Sequence, residues 1–108
     1  MILSDFLFFD LGKTDIVSNT LYNTNGESLI LQVSQTGSDA INITIEGKSD
    51  IESNTWGLLG CVENSTLSIQ NDIKSTGIFT IPISGINYIR ANNMGTAGEI
   101  KLYGKVIG

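Results

Sequence analysis

Thr76-Gly77-Ile78-Phe79-Thr80-Ile81-Pro82-Ile83-Ser84-Gly85-Ile86-Asn87-Tyr88-Ile89-Arg90 carries β-branched runs punctuated by glycine. After a Gly-containing turn comes a second apolar-alternating run, Glu99-Ile100-Lys101-Leu102-Tyr103-Gly104-Lys105-Val106. No helical period links these segments, and they read as strand, tight turn, strand, turn, strand. The chain is therefore expected to be an antiparallel β protein. Pro82 cannot donate to a ladder, so its strand is expected at an edge or with the missing N–H facing outward.

The same pattern extends toward the N-terminus. Leu29, Leu31 and Val33 share one face of a run that ends at Thr36-Gly37-Ser38-Asp39, and Ile41-Asn42-Ile43-Thr44-Ile45-Glu46 then alternates strictly. Together they predict a hairpin with one wet face. Trp56-Gly57-Leu58-Leu59-Gly60-Cys61-Val62 is more continuously apolar, as expected of a strand buried on both sides. Leu67-Ser68-Ile69-Gln70 is short and ambiguous, and Ile73 is expected to plug the core from a loop. The predicted architecture is all-β: an antiparallel sandwich or jelly roll of about six to eight short strands.

At 108 residues the chain is expected to form one domain, burying roughly two-thirds of its extended surface. Residues 1–28 form an N-terminal strand or arm, and 29–108 form the sandwich module. In Phe6-Leu7-Phe8-Phe9-Asp10-Leu11 both alternate faces are apolar, with Phe6 and Phe8 on one side and Leu7, Phe9 and Leu11 on the other. Such a strand needs cover on both faces. Either it is an inner strand, or a neighbouring subunit supplies one cover, which makes Phe6, Leu7, Phe8, Phe9 and Leu11 a candidate interface. Residues 15–27 are polar, with Asn25-Gly26 as a turn.

Composition excludes several functions. A net charge of −5, with six basic residues scattered along the chain, supplies no patch for phosphate binding, so no nucleic-acid partner is expected. The opening segment lacks a basic n-region, carries Asp5 and Asp10, and is too short to span a bilayer. No membrane role is expected, and synthesis in a cytoplasm is. Asn42-Ile43-Thr44 and Asn64-Ser65-Thr66 match a glycosylation sequon, a match expected by chance in a chain this rich in Asn and Thr.

Catalysis finds no constellation. The chain has no histidine, so its single cysteine, Cys61, lacks the usual base. Its neighbours Leu58, Leu59 and Val62 read it as a small buried apolar residue. One cysteine and no histidine exclude the usual zinc sets, and Asp50-Ile51-Glu52-Ser53-Asn54 lacks the glycine and terminal glutamate of a calcium loop. Asp50, Glu52 and Glu63 read as solvated loop charges. Gly57-Leu58-Leu59-Gly60 is followed by no Lys-Ser/Thr and is no phosphate loop. No catalytic residue, metal or cofactor is expected. Trp56 opens an apolar run and reads as a core or sheet-packing residue, the alternative being an exposed indole on which a sugar stacks. Arg90 is expected to make a salt bridge or stacking contact across the sheet, or to anchor an interface.

Residues 29–108 resemble a small β-sandwich module of tailed-bacteriophage structural proteins. The landmarks are Gly47, Trp56, Gly77-Ile78-Phe79, Ser84-Gly85-Ile86-Asn87-Tyr88-Ile89-Arg90 and Gly95-Thr96-Ala97-Gly98-Glu99-Ile100. The turn before the Trp usually reads Asp-Gly in that module, whereas this chain has Asp50-Ile51-Glu52-Ser53-Asn54. The resemblance implies a trimeric virion protein. Because the module is nearly the whole chain, it favours a capsid decoration protein bound to the major capsid protein over a tail, baseplate or fibre part. A carbohydrate-binding module is the reading from a different class. Trp56, Gly77, Gly85, Tyr88 and Arg90 are the motif residues of the bacteriophage-like module.

Overall fold

The computed structural model describes residues 1–10, 16–95 and 99–108. It is an all-β sandwich. One antiparallel sheet contains β1 (Ile2–Phe9), β10 (Ile100–Ile107), β3 (Ser28–Gln35), β8 (Gly77–Pro82), β6 (Cys61–Glu63) and β7 (Ser68–Gln70), in that order. The other contains β2 (Leu21–Tyr22), β9 (Tyr88–Asn93), β4 (Ile43–Lys48) and β5 (Gly57–Leu59). The alternating residues do what their period requires: Leu29, Leu31, Val33, Phe79, Ile81, Leu102 and Val106 from the larger sheet meet Ile43, Ile45, Ile89 and Ala91 from the smaller. Ile73 plugs this core from outside the strands, exchanging two backbone hydrogen bonds with Ile43.

Three expectations are corrected. β3 and β4 are not a hairpin, because they lie in different sheets. Each buries one apolar face in the same core from opposite sides, and the segment between them, with Gly37 at φ 113°, carries the chain across. A one-faced alternation is satisfied equally by pairing with the next strand or by facing it across a sandwich. The Trp56–Val62 run is likewise no single buried strand. It breaks at Gly60, with β5 at the edge of the smaller sheet and β6 in the larger, and Leu58 is exposed.

The third correction concerns β1. It is an edge strand, paired on one side with β10, and its register shifts between Leu7↔Tyr103 and Phe9↔Leu102. Phe8 is the extra residue of this bulge, so strict alternation fails, and Phe8 (4% exposed) and Phe9 (6%) both turn into the core. Phe8 packs over Gly104 and meets the Phe6 ring at 4.7 Å. The apolar surface that stays outside belongs to Ile2 (57% exposed), Leu3 (42%) and Leu7 (38%). Leu11 lies outside the described residues.

Pro82 ends β8, where β6 no longer pairs. Ile83 N donates to Glu27 O, so the Ser28↔Pro82 pair is the non-bonded kind and the proline nitrogen faces away from β3. Gly85, at φ 80°, takes the third position of a turn closed by Ile86 N donating to Ile83 O at 3.0 Å, a type II arrangement that favours glycine.

Candidate functional site

The register of the smaller sheet builds a surface from residues that are far apart in sequence. Outward positions are Thr44, Glu46 and Lys48 on β4 and Tyr88, Arg90 and Asn92 on β9. Because Lys48 faces Tyr88, Tyr88 faces Tyr22, and Gly47 faces Gly57, the row Tyr22, Tyr88, Lys48, Trp56 crosses β2, β9 and β4 and ends on the residue just before β5. The two tyrosine rings pack at 5.3 Å, tilted by 56°. Lys48 Nζ sits 4.8 Å from the centre of the Trp56 ring and 5.8 Å from that of Tyr88.

Beside this row lies an ion pair. Arg90 Nε donates to Glu46 Oε1 at 3.0 Å, and the same carboxylate oxygen accepts from Asn92 Nδ2. The guanidinium carbon lies 4.1 Å over the Trp56 ring, so Arg90 makes both the salt bridge and the stacking contact expected of it. Of the two placements expected for Trp56, packing on the sheet is found and the core is not. The tryptophan is half-buried outside the hydrophobic core, on the solvent face of the sheet, its ring engaged by Lys48 and Arg90. The cationic heads of those two side chains cover the ring where a core would otherwise do so.

The loop before Trp56 is held without the Asp-Gly turn. Asp50 Oδ1 accepts from Glu52 N at 3.0 Å, Ser53 N donates to Asp50 O, and Lys48 Nζ donates to Ser53 O at 2.9 Å. An Asx turn does what the glycine usually does, and Lys48 ties the loop to the aromatic row.

Of the motif residues read from sequence, the fold thus brings Trp56, Tyr88 and Arg90 together, while Gly77, at φ 144°, opens β8 opposite Val33 and Gly85 serves the turn before β9. Sequence reasoning missed Glu46, Lys48, Asn92 and Tyr22. For Glu46 and Lys48 a signal existed: continuing the Ile43, Ile45 alternation places both on the outward face. For Tyr22 there was none, because a two-residue strand has no period. Among the described residues no three His, Cys, Asp or Glu side chains gather as metal ligands would. Cys61 is buried beneath Gln70, its thiol donating to the Gln70 carbonyl, and desolvation followed by the charges of Asp72 and Glu63 raises its pKa. What the face can do is bind: a Trp, two Tyr and an Arg in a patch about one sheet wide have the composition of a protein-contact centre.

No protein-family model matches the sequence, and no curated protein matches it. Among solved structures, the fold is similar to the crystal structure of the SPBc2 prophage-derived protein YomS, with a TM-score of 0.85 over 97% of this chain and 92% of that one, at 12% sequence identity.

Proposed function

We propose that this chain is a structural component of a tailed-bacteriophage particle, a capsid decoration protein that binds the head shell and acts by adhesion, without catalysis. The observation that carries the reading is the likeness of the sandwich to a prophage-derived protein over nearly the full length of both chains. Two surfaces support it. The aromatic and cationic face of the smaller sheet has interface composition, and the β1 edge leaves Ile2, Leu3 and Leu7 outside. The face would contact the major capsid protein, and the edge would join copies of the chain into a homotrimer. The protein would be made in the cytoplasm of the bacterial host and remain in the virion, with no cofactor, nucleic acid or membrane involved.

Labelling purified particles with an antibody to this chain tests the reading. Label over the head surface is the expected result. Label on the tail would move the chain to the tail or baseplate class, and particles without the protein would overturn a virion role.

A further inference from the structure

The outer face of the larger sheet carries a second surface, distinct from the aromatic row and bordered by the β1 edge, where Leu7 lies opposite Tyr103. Here the register aligns Ile78, Gln32 and Tyr103 across β8, β3 and β10, with Ser34 beside Lys101 and Ile30 beside Lys105. Two adjoining hollows of about 310 and 230 Å³ share Gln32 and Tyr103. Ser34 and Lys101 complete the first, while Ile30, Ile78 and Lys105 complete the second. They form one trough with an aromatic ring at its centre and a lysine toward each end, the lysines about 13 Å apart along the strand.

The charge on this face runs against that of the chain. The protein carries −5 overall, yet among the described residues neither Lys101 nor Lys105 has a carboxylate within salt-bridge distance. Asp5 lies opposite Lys105 on β1, beside the Tyr103 hydroxyl, and makes no ion pair with the lysine. Lys101 and Lys105 are therefore free to meet an outside anion. β10 and β3 are paired on both sides, so no backbone edge is open to a peptide strand and a ligand must be held by side chains alone. Those side chains are a ring for the apolar face of a pyranose, an amide and a hydroxyl for its hydroxyl groups, and two ammonium groups for carboxylates. An acidic peptide would use the lysines and gain nothing from the neutral row between them.

We infer that this trough binds a carboxylate-bearing oligosaccharide, stacked on Tyr103 and clamped by Lys101 and Lys105. Calorimetric titration of the purified protein at low ionic strength tests it, with oligogalacturonate, its neutral methyl ester and poly-L-glutamate as probes. Oligogalacturonate is expected to bind; the ester should be weaker by about tenfold or more, the combined worth of two surface charge contacts, and polyglutamate weaker by a similar factor because it has no ring to stack on Tyr103. Tyr103→Ala and the double variant Lys101→Gln/Lys105→Gln should each weaken it similarly, while Trp56→Ala leaves it unchanged. Unfolding midpoints confirm that each variant is folded, and if Tyr103→Ala is not, the lysine pair decides. No binding of oligogalacturonate, equal binding of polyglutamate, or binding indifferent to the folded variants would each overturn the inference. Since the titration uses the isolated protein, its outcome is independent of any role in a virion.

Discussion

Asn23 and Asn87 are tied in both directions: Asn23 N donates to Asn87 O at 2.7 Å, and Asn87 Nδ2 donates to Asn23 O at 2.9 Å. The Asn23 side chain is itself buried, accepting from Gly26 N at 2.8 Å and donating to the carbonyls of Gly26, Ile83 and Ile86. It locks the turn after β2 onto the turn before β9. A Cβ on Gly26 would collide with Val106 and with the Asn23 carboxamide, so glycine is needed there for close approach. Asn23→Ala leaves these backbone groups unpaired in the interior and should cost about 2–4 kcal/mol, read from the denaturant midpoint. Asn23→Asp, which keeps the acceptor but turns a buried carboxylate oxygen toward three carbonyls, should recover none of it.

The bulge in β1 separates residues that sequence alternation had interleaved. Phe8→Ser or Phe9→Ser should each cost about 3–5 kcal/mol, because both rings lie in the chain's own core. Leu3→Asp and Leu7→Asp, on the exposed edge, should leave the unfolding midpoint nearly unchanged and lower the mass of any oligomer. Light scattering beside thermal unfolding separates the two effects. An edge variant that keeps the parent's mass would remove β1 from the subunit contact.

Trp56→Ala should destabilise by about 1–2 kcal/mol, less than a core tryptophan, since it loses cation contacts and partial burial and leaves no core cavity. The Arg90–Glu46 coupling, measured by a double-mutant cycle, should be about 0.5–1 kcal/mol for a pair this accessible. Arg90→Lys retains a cation over Trp56 but loses the planar fork, and should give an intermediate midpoint.

Cys61 titrates in a direction fixed by its burial. Its proton is held more tightly in the folded chain than in the unfolded one, so its stabilising contribution is complete below the unfolded thiol value of about 8.5 and is lost as pH rises toward the raised folded value. Cys61→Ser should lessen that alkaline loss. Modification by a thiol reagent should follow the unfolding curve, and rapid reaction of the native protein would contradict the buried placement.

The core was legible from sequence because alternation reports burial directly: Leu29, Leu31, Val33, Ile43, Ile45, Phe79 and Ile81 all point inward as their period requires. Sheet membership was not, since the alternation of β3 and β4 is the same whether they pair or face each other. Local irregularity was equally silent, as the Phe8 bulge and the break at Gly60 leave no periodic mark. The aromatic face was half legible. Trp56, Tyr88 and Arg90 were singled out, but as separate residues, and only the cross-strand register makes neighbours of Trp56, Lys48 and Arg90.

Co-sedimentation of the purified protein with empty phage heads tests the adhesive role most directly. The parent chain should bind to saturation, and a Trp56→Ala/Tyr88→Ala variant of unchanged fold should bind about tenfold more weakly or worse, the usual loss when aromatic anchors leave a contact centre. Failure of the folded parent to bind heads at any concentration, or full binding by the aromatic variant, would contradict the account.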